Sequence, residues 1–118
     1  MADGNRNWKI RFYRKARGES PPKRYILALP KEDRARAFRC IDLLRQLGTD
    51  IKMPHSKHLT GTGLWELRPK PHRLIYGVMP GRCFVILHAF PKKSGDTKKK
   101  DIDLALRRMR EVKGRLGI

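Results

Sequence analysis

This chain of 118 residues predicts an α+β fold: a small antiparallel sheet with a helical hairpin and a closing C-terminal helix. Three observations lead there. Residues 57–93 hold three short apolar-rich runs separated by two turn signals, the pattern of a three-stranded meander. Ahead of them, two stretches of helical apolar spacing are interrupted by Pro30. Behind them, an amphipathic stripe runs from Asp101 onward.

The expected order is β-α-α-β-β-β-α. Residues 1–7 are polar and expected to be flexible, leaving residues 8–118 as a single domain. Trp8 to Tyr13 alternates as a first strand, and Arg14 to Glu19 is a basic loop. Ser20 before Pro21 is a helix start, with Tyr25, Ile26 and Leu29 as its short stripe. Pro30 ends that helix and opens the next, where Ala37, Cys40, Ile41, Leu44 and Leu47 recur at helical spacing before Gly48. Residues 49–56 read as a loop. In the closing helix, Ile102, Ala105, Leu106, Met109, Val112 and Leu116 form the stripe. Both helical parts are expected on one face of the sheet, with the other face partly open.

The turns set an expected register. Treating Pro80-Gly81 as a two-residue connection pairs Val78 with Cys83, Tyr76 with Val85 and Leu74 with Leu87 on the core side. The other parity pairs Gly77 with Phe84, Ile75 with Ile86 and Arg73 with His88. The turn Pro69-Lys70-Pro71-His72 pairs Arg68 with Arg73, Leu67 with Leu74, Trp65 with Tyr76 and Glu66 with Ile75. Arg68, Arg73 and His88 then form one row on the outer face.

Charge narrows the function class. Lys and Arg number 29 against 11 Asp and Glu, a net +18, which points to a polyanionic partner. No apolar run approaches the ~20 residues that span a bilayer, and MADGNRNW lacks an apolar signal core, so a cytoplasmic location is expected. Cys40 and Cys83 are too few for a disulfide framework and read as core residues. His55, His58 and His72 show no ligand spacing, and neither metal nor cofactor is expected.

The basic row suits RNA cleavage, in which the substrate carries its own nucleophile, the 2′-hydroxyl. Fixed guanidinium forks match phosphate oxygens and remain charged as the phosphate gains charge. Imidazole suits proton transfer near neutral pH. Each residue also has a plainer reading. Arg68 and Arg73 would be a solvated strand face paired with Glu66, and His88 a half-buried strand residue. Glu66 is either a general base or, in the favoured reading, the group that orients the arginines. Phe90 either stacks on a base or packs under the last helix. Lys52 and Lys57 precede the meander and Lys92 and Lys93 follow it, placed to meet phosphate or solvent. Lys98, Lys99 and Lys100 read as a phosphate-attracting helix start, against the helix dipole.

The strings GLWELR, RLIY, VILHAFPKK and DIDLALRRM, taken in order, resemble the phage-derived HigB-like branch of the RelE/ParE toxin superfamily. The likeness runs over about residues 8–110. It implies the toxin of a type II toxin–antitoxin pair: an endoribonuclease that cuts mRNA, usually on the ribosome and without a metal, and so inhibits translation. It implies a helix-turn-helix, HigA-like antitoxin as partner, with operator DNA reached only through that antitoxin. It places functional weight on Lys57, Glu66, Arg68, Arg73, Phe90, Lys92 and Lys93. The superfamily also holds ParE-type members that poison DNA gyrase, so the alternative is a non-nucleolytic basic protein, a gyrase inhibitor or an inactive antitoxin-binding homologue. Two departures from the family pattern are Thr97-Lys98, where members usually carry Thr-Pro, and Pro91 between Phe90 and the lysine pair.

Overall fold

Capping chemistry decides where the helices begin and end. The computed structural model describes residues 7–117, so the tail expected to be flexible lies, apart from Asn7, outside the described residues. Strand β1 (Lys9–Phe12) leads into α1 (Pro21–Leu27) and α2 (Lys31–Leu47). The Ser20 hydroxyl accepts from the Lys23 N–H, and Pro21 opens α1. Gly48 ends α2 with a positive φ of 59° and begins a short 3-10 turn, Gly48–Asp50. Strands β2 (Ser56–Leu59), β3 (Leu64–Leu67), β4 (His72–Met79) and β5 (Cys83–Pro91) follow, and α3 (Lys99–Leu116) closes the chain.

The strands form one sheet in the order β1-β5-β4-β3-β2. Neighbours are antiparallel except β1, which lies parallel to β5 at the edge. The α+β expectation therefore holds. β2 is an additional strand in a region read as loop and basic lead-in. It is only four residues long and carries polar Lys57 and His58 at its centre, so it has little apolar pattern.

The helices do not share a face. Residues Ile26, Ala37, Cys40, Ile41 and Leu44 of α1 and α2 pack on Leu67, Leu74, Tyr76, Phe84 and Ile86. Ala105 and Met109 of α3 pack on the opposite face, against Leu64, Ile75, Met79, Val85 and Leu87. The outer face expected to be open is thus partly covered by α3.

That covering explains a register correction. The β3–β4 pairs are those the turn predicts: Trp65 with Tyr76, Glu66 with Ile75, Leu67 with Leu74. The β4–β5 pairs are not. Met79 faces Cys83, so the connection is Pro80-Gly81-Arg82, with Gly81 and Arg82 both at positive φ. A bulge beyond Tyr76–Ile86 shifts the ladder again, giving Ile75 with His88 and Arg73 with Phe90. Arg73 does not face His88. Because β5 is buried on both faces, alternation could not report which parity faced which helix. Among the described residues no helix is long and apolar enough to cross a membrane.

Candidate active site

Strand pairing alone assembles the centre of the site. Lys57 is paired with Glu66 across β2 and β3, and Glu66 with Ile75 across β3 and β4. One step along, Arg68 and Arg73 flank the last β3–β4 pair, and Arg73 faces Phe90. These side chains share the α3 face, beyond the part that α3 covers. The 92–98 loop folds over them and leaves a cavity of about 640 Å³.

Glu66 is the hub. It is only 1% exposed. Its Oε1 lies 3.3 Å from Arg68 Nε and 3.4 Å from Arg73 Nε. Its Oε2 accepts a hydrogen bond from the Thr97 hydroxyl. Both carboxylate oxygens are therefore engaged, which fits a group that orients guanidinium forks better than one that collects a proton. Arg73 is 7% exposed and also donates from Nη1 to the His72 carbonyl at 3.1 Å. Burial and then the neighbouring Arg68 cation push its pKa below the usual arginine value, with Glu66 opposing. The Nη2 groups of both arginines have no acceptor among the described residues, so an N–H edge of each remains for an anion.

Around this clamp the cavity is lined by Lys57, Lys92, Lys93 and Lys98, with Phe90 and Ile102 as apolar wall. Asp96 is the other carboxylate of the lining. The arrangement can hold a phosphodiester between fixed cations and stabilise added negative charge on it.

The structure brings together eight of the twelve residues singled out in the sequence: Lys57, Glu66, Arg68, Arg73, Phe90, Lys92, Lys93 and Lys98. Lys52, Lys99 and Lys100 do not line the cavity, and Lys99 pairs instead with Asp103 at 3.0 Å. His88 does not line it either. Its Nε2 lies 2.7 Å from Asp101 Oδ1, and its ring stacks on Phe90 with centroids 5.0 Å apart. Burial, foremost, lowers the His88 pKa, while Asp101 opposes and Arg108, not Arg73, assists. Phe90 is itself buried, so the packed reading describes it better than a free stacking platform. Thr97, noted in the sequence only as a departure, proves to touch the hub. A loop hydroxyl leaves no periodic trace, and the only signal was its place in the Thr97-Lys98 pair. Among the described residues no group of three or more His, Cys, Asp or Glu side chains is arranged to hold a metal ion.

The model of the phage-derived Gp49-like protein family (DUF891) matches residues 24–110. The chain belongs to this family. No curated protein matches the Gp49-like chain at a significant level. Among solved structures it is similar to the archaeal RelE–RelB complex of Pyrococcus horikoshii OT3, with a TM-score of 0.59 at 20% identity. That match covers 75% of this chain and 99% of the other. A second likeness is to the toxin–antitoxin complex RelBE2 of Mycobacterium tuberculosis, with a TM-score of 0.54 and 19% identity over 73% and 92% of the two chains. The fold of this Gp49-like protein is thus RelE-like. At these identities the likeness concerns the fold, and the site is argued from this chain's own residues.

Proposed function

We propose that this Gp49-like protein is the toxin of a toxin–antitoxin pair and a metal-independent endoribonuclease acting on mRNA in the cytoplasm, at the ribosome, so that it inhibits translation. The observation that carries the reading is the clamp: a buried carboxylate holding two guanidinium groups at the floor of a lysine-lined cavity. The structural neighbours, a RelE–RelB complex and the toxin–antitoxin complex RelBE2, support a toxin with a protein antitoxin as partner. A HigA-like helix-turn-helix antitoxin is the partner the family resemblance suggests, with operator DNA bound through it alone.

In this reading Arg68 and Arg73 grip the scissile phosphate. The 2′-oxygen attacks phosphorus, the P–O5′ bond breaks, and the products are a 2′,3′-cyclic phosphate and a 5′-hydroxyl. The guanidinium forks stabilise the charge that builds on the non-bridging oxygens. The 2′ proton passes to solvent. An ammonium group of Lys57, Lys92 or Lys93 supplies the proton that the 5′-oxygen needs, since His88 does not line the cavity and is paired with Asp101. Glu66 keeps the forks in place.

The test is induced expression in cells, with transcript ends mapped alongside plasmid supercoiling. New 5′-hydroxyl ends within translated regions, with supercoiling unchanged, are the expected result. Altered supercoiling without new ends would overturn the ribonuclease reading in favour of a gyrase inhibitor.

A further inference from the structure

A polar relay on the opposite face of the sheet plays no part in the chemistry above. Tyr25 Oη on α1 lies 2.7 Å from His72 Nδ1, and His72 Nε2 lies 3.0 Å from Asp33 Oδ2 on α2. The hydrogen bond from His72, foremost, holds the Asp33 carboxyl below its ordinary range, so it is ionised and only accepts. Nε2 therefore carries the hydrogen. Burial raises the Tyr25 phenol, which stays protonated and shares its hydrogen bond with Nδ1. The other oxygen of Asp33 pairs with Arg36 Nη1 at 3.3 Å.

The relay reaches the cavity through backbone. The turn that leads into β4 and the strand's first residue present three successive carbonyls, and each is taken. Lys70 O accepts from Arg36 Nη1 at 3.0 Å. Pro71 O accepts the Lys92 N–H at 2.7 Å. His72 O accepts from Arg73 Nη1 at 3.1 Å. One side of the turn is gripped by α2 at two points, Arg36 and His72, and Asp33 stands behind both. Two cavity cations, Lys92 and Arg73, are attached to the next two carbonyls.

We infer that Asp33 is a positioning residue for the cavity cations. Through His72 and Arg36 it fixes the 70–72 turn, and the turn fixes the Arg73 guanidinium and the Lys92 backbone. The inference deepens the ribonuclease reading, and only its kinetic arm rests on it.

The test uses the full chain with Asp33→Ala, Tyr25→Phe and, as a control at an exposed site on the same helix, Glu32→Ala. The readouts are the Arg73 Nε–Hε and Lys92 amide resonances in 15N NMR. Asp33→Ala should shift both, Tyr25→Phe should shift the Arg73 signal less, and Glu32→Ala should move neither. Tyr25→Phe removes a single oxygen and carries the test if Asp33→Ala does not fold. On RNA, Asp33→Ala should lower kcat by about tenfold to a hundredfold with KM little changed, the scale expected for a displaced reacting group. In an Arg73→Lys background the same change should have little further effect, whereas a purely structural loss would add. Resonances unmoved in both Asp33→Ala and Tyr25→Phe overturn the inference, as does an unchanged kcat when the parent chain cleaves. If the parent chain cleaves no RNA, the ribonuclease reading fails and the resonances alone decide the role of Asp33.

Discussion

Arg73 meets Glu66 through Nε and the His72 carbonyl through Nη1, so its planar fork is fixed before any phosphate arrives. A lysine at this position keeps the charge and can still pair with Glu66, but it cannot span both acceptors and a phosphate. Arg73→Lys should therefore stay folded and yet lose about a hundredfold or more in kcat, the scale of removing one preorganised donor. Arg73→Ala should lose at least as much. It should also lose stability, because Glu66 is left buried with Arg68 and Thr97 alone, and the sequence-based view of Arg73 as an outward residue did not foresee that. Cleavage rates and urea midpoints, measured on the same preparations, check both statements, and full activity in a folded Arg73→Lys variant would sink the site. His88 makes the contrasting case. Its folded pKa lies below the ordinary 6.5, chiefly through burial. The unfolded chain then binds more protons in the window below that value, so the stability contribution is complete above it and is lost as pH falls toward the folded pKa. His88→Gln should flatten this slope in pH-dependent unfolding and leave cleavage at the parent level, since the ring meets Asp101 and Phe90 rather than the clamp. A large kcat loss with normal stability would return His88 to the site.

Elements differ in how much of themselves they write into sequence. Helix ends are local chemistry, so Ser20-Pro21, Pro30 and Gly48 could be read directly. The β3–β4 hairpin could be read because its turn and its apolar parity agree, and with it came Glu66, Arg68 and Arg73. The β4–β5 register could not. Phe84 and Ile86 face one helical layer while Val85 and Leu87 face the other, so a one-residue slip exchanges apolar for apolar. The slip at the turn and the bulge beyond Tyr76 together set His88 opposite Ile75 instead of Arg73. The position of α3 was equally silent, because an amphipathic stripe specifies that a face is buried and not which sheet face receives it. The junction after α2 carries an element-scale prediction. Gly48 has φ +59°, and a Cβ there would lie 2.3 Å from the Trp8 indole nitrogen. That indole stacks on Phe84 with centroids 4.5 Å apart, so it has little freedom to retreat. Gly48→Ala should destabilise the fold by at least the ~1–3 kcal/mol of such backbone strain. Urea denaturation should show a lower midpoint at unchanged m, while the equivalent change at exposed Gly114, which meets nothing within 4 Å, should not destabilise.

For the whole molecule, a net charge of +18 attracts any polyanion, and binding by itself says little about where RNA sits. Salt dependence separates the local from the diffuse. Cations in direct phosphate contact release counterions on binding, and each contributes about 0.7 to the slope of log K against log salt on a single strand. Charges beyond a Debye length of about 8 Å at physiological salt contribute mainly to encounter. The cavity holds Lys57, Lys92, Lys93 and Lys98 beside the two arginines, whereas Lys52 and Lys99 lie outside it. The measurement uses a single-stranded RNA with a 2′-deoxy residue at the scissile position, which has lost its nucleophile but keeps its phosphates. Lys92→Ala and Lys93→Ala should each lower the slope by about 0.7 and weaken binding at every salt concentration. Lys52→Ala and Lys99→Ala should shift the line far less and leave its slope alone. The same loss from all four lysines would mean that the strand is held by the field of the whole surface. The clamp of Glu66, Arg68 and Arg73 would then be a structural ion network beneath a nonspecific basic face.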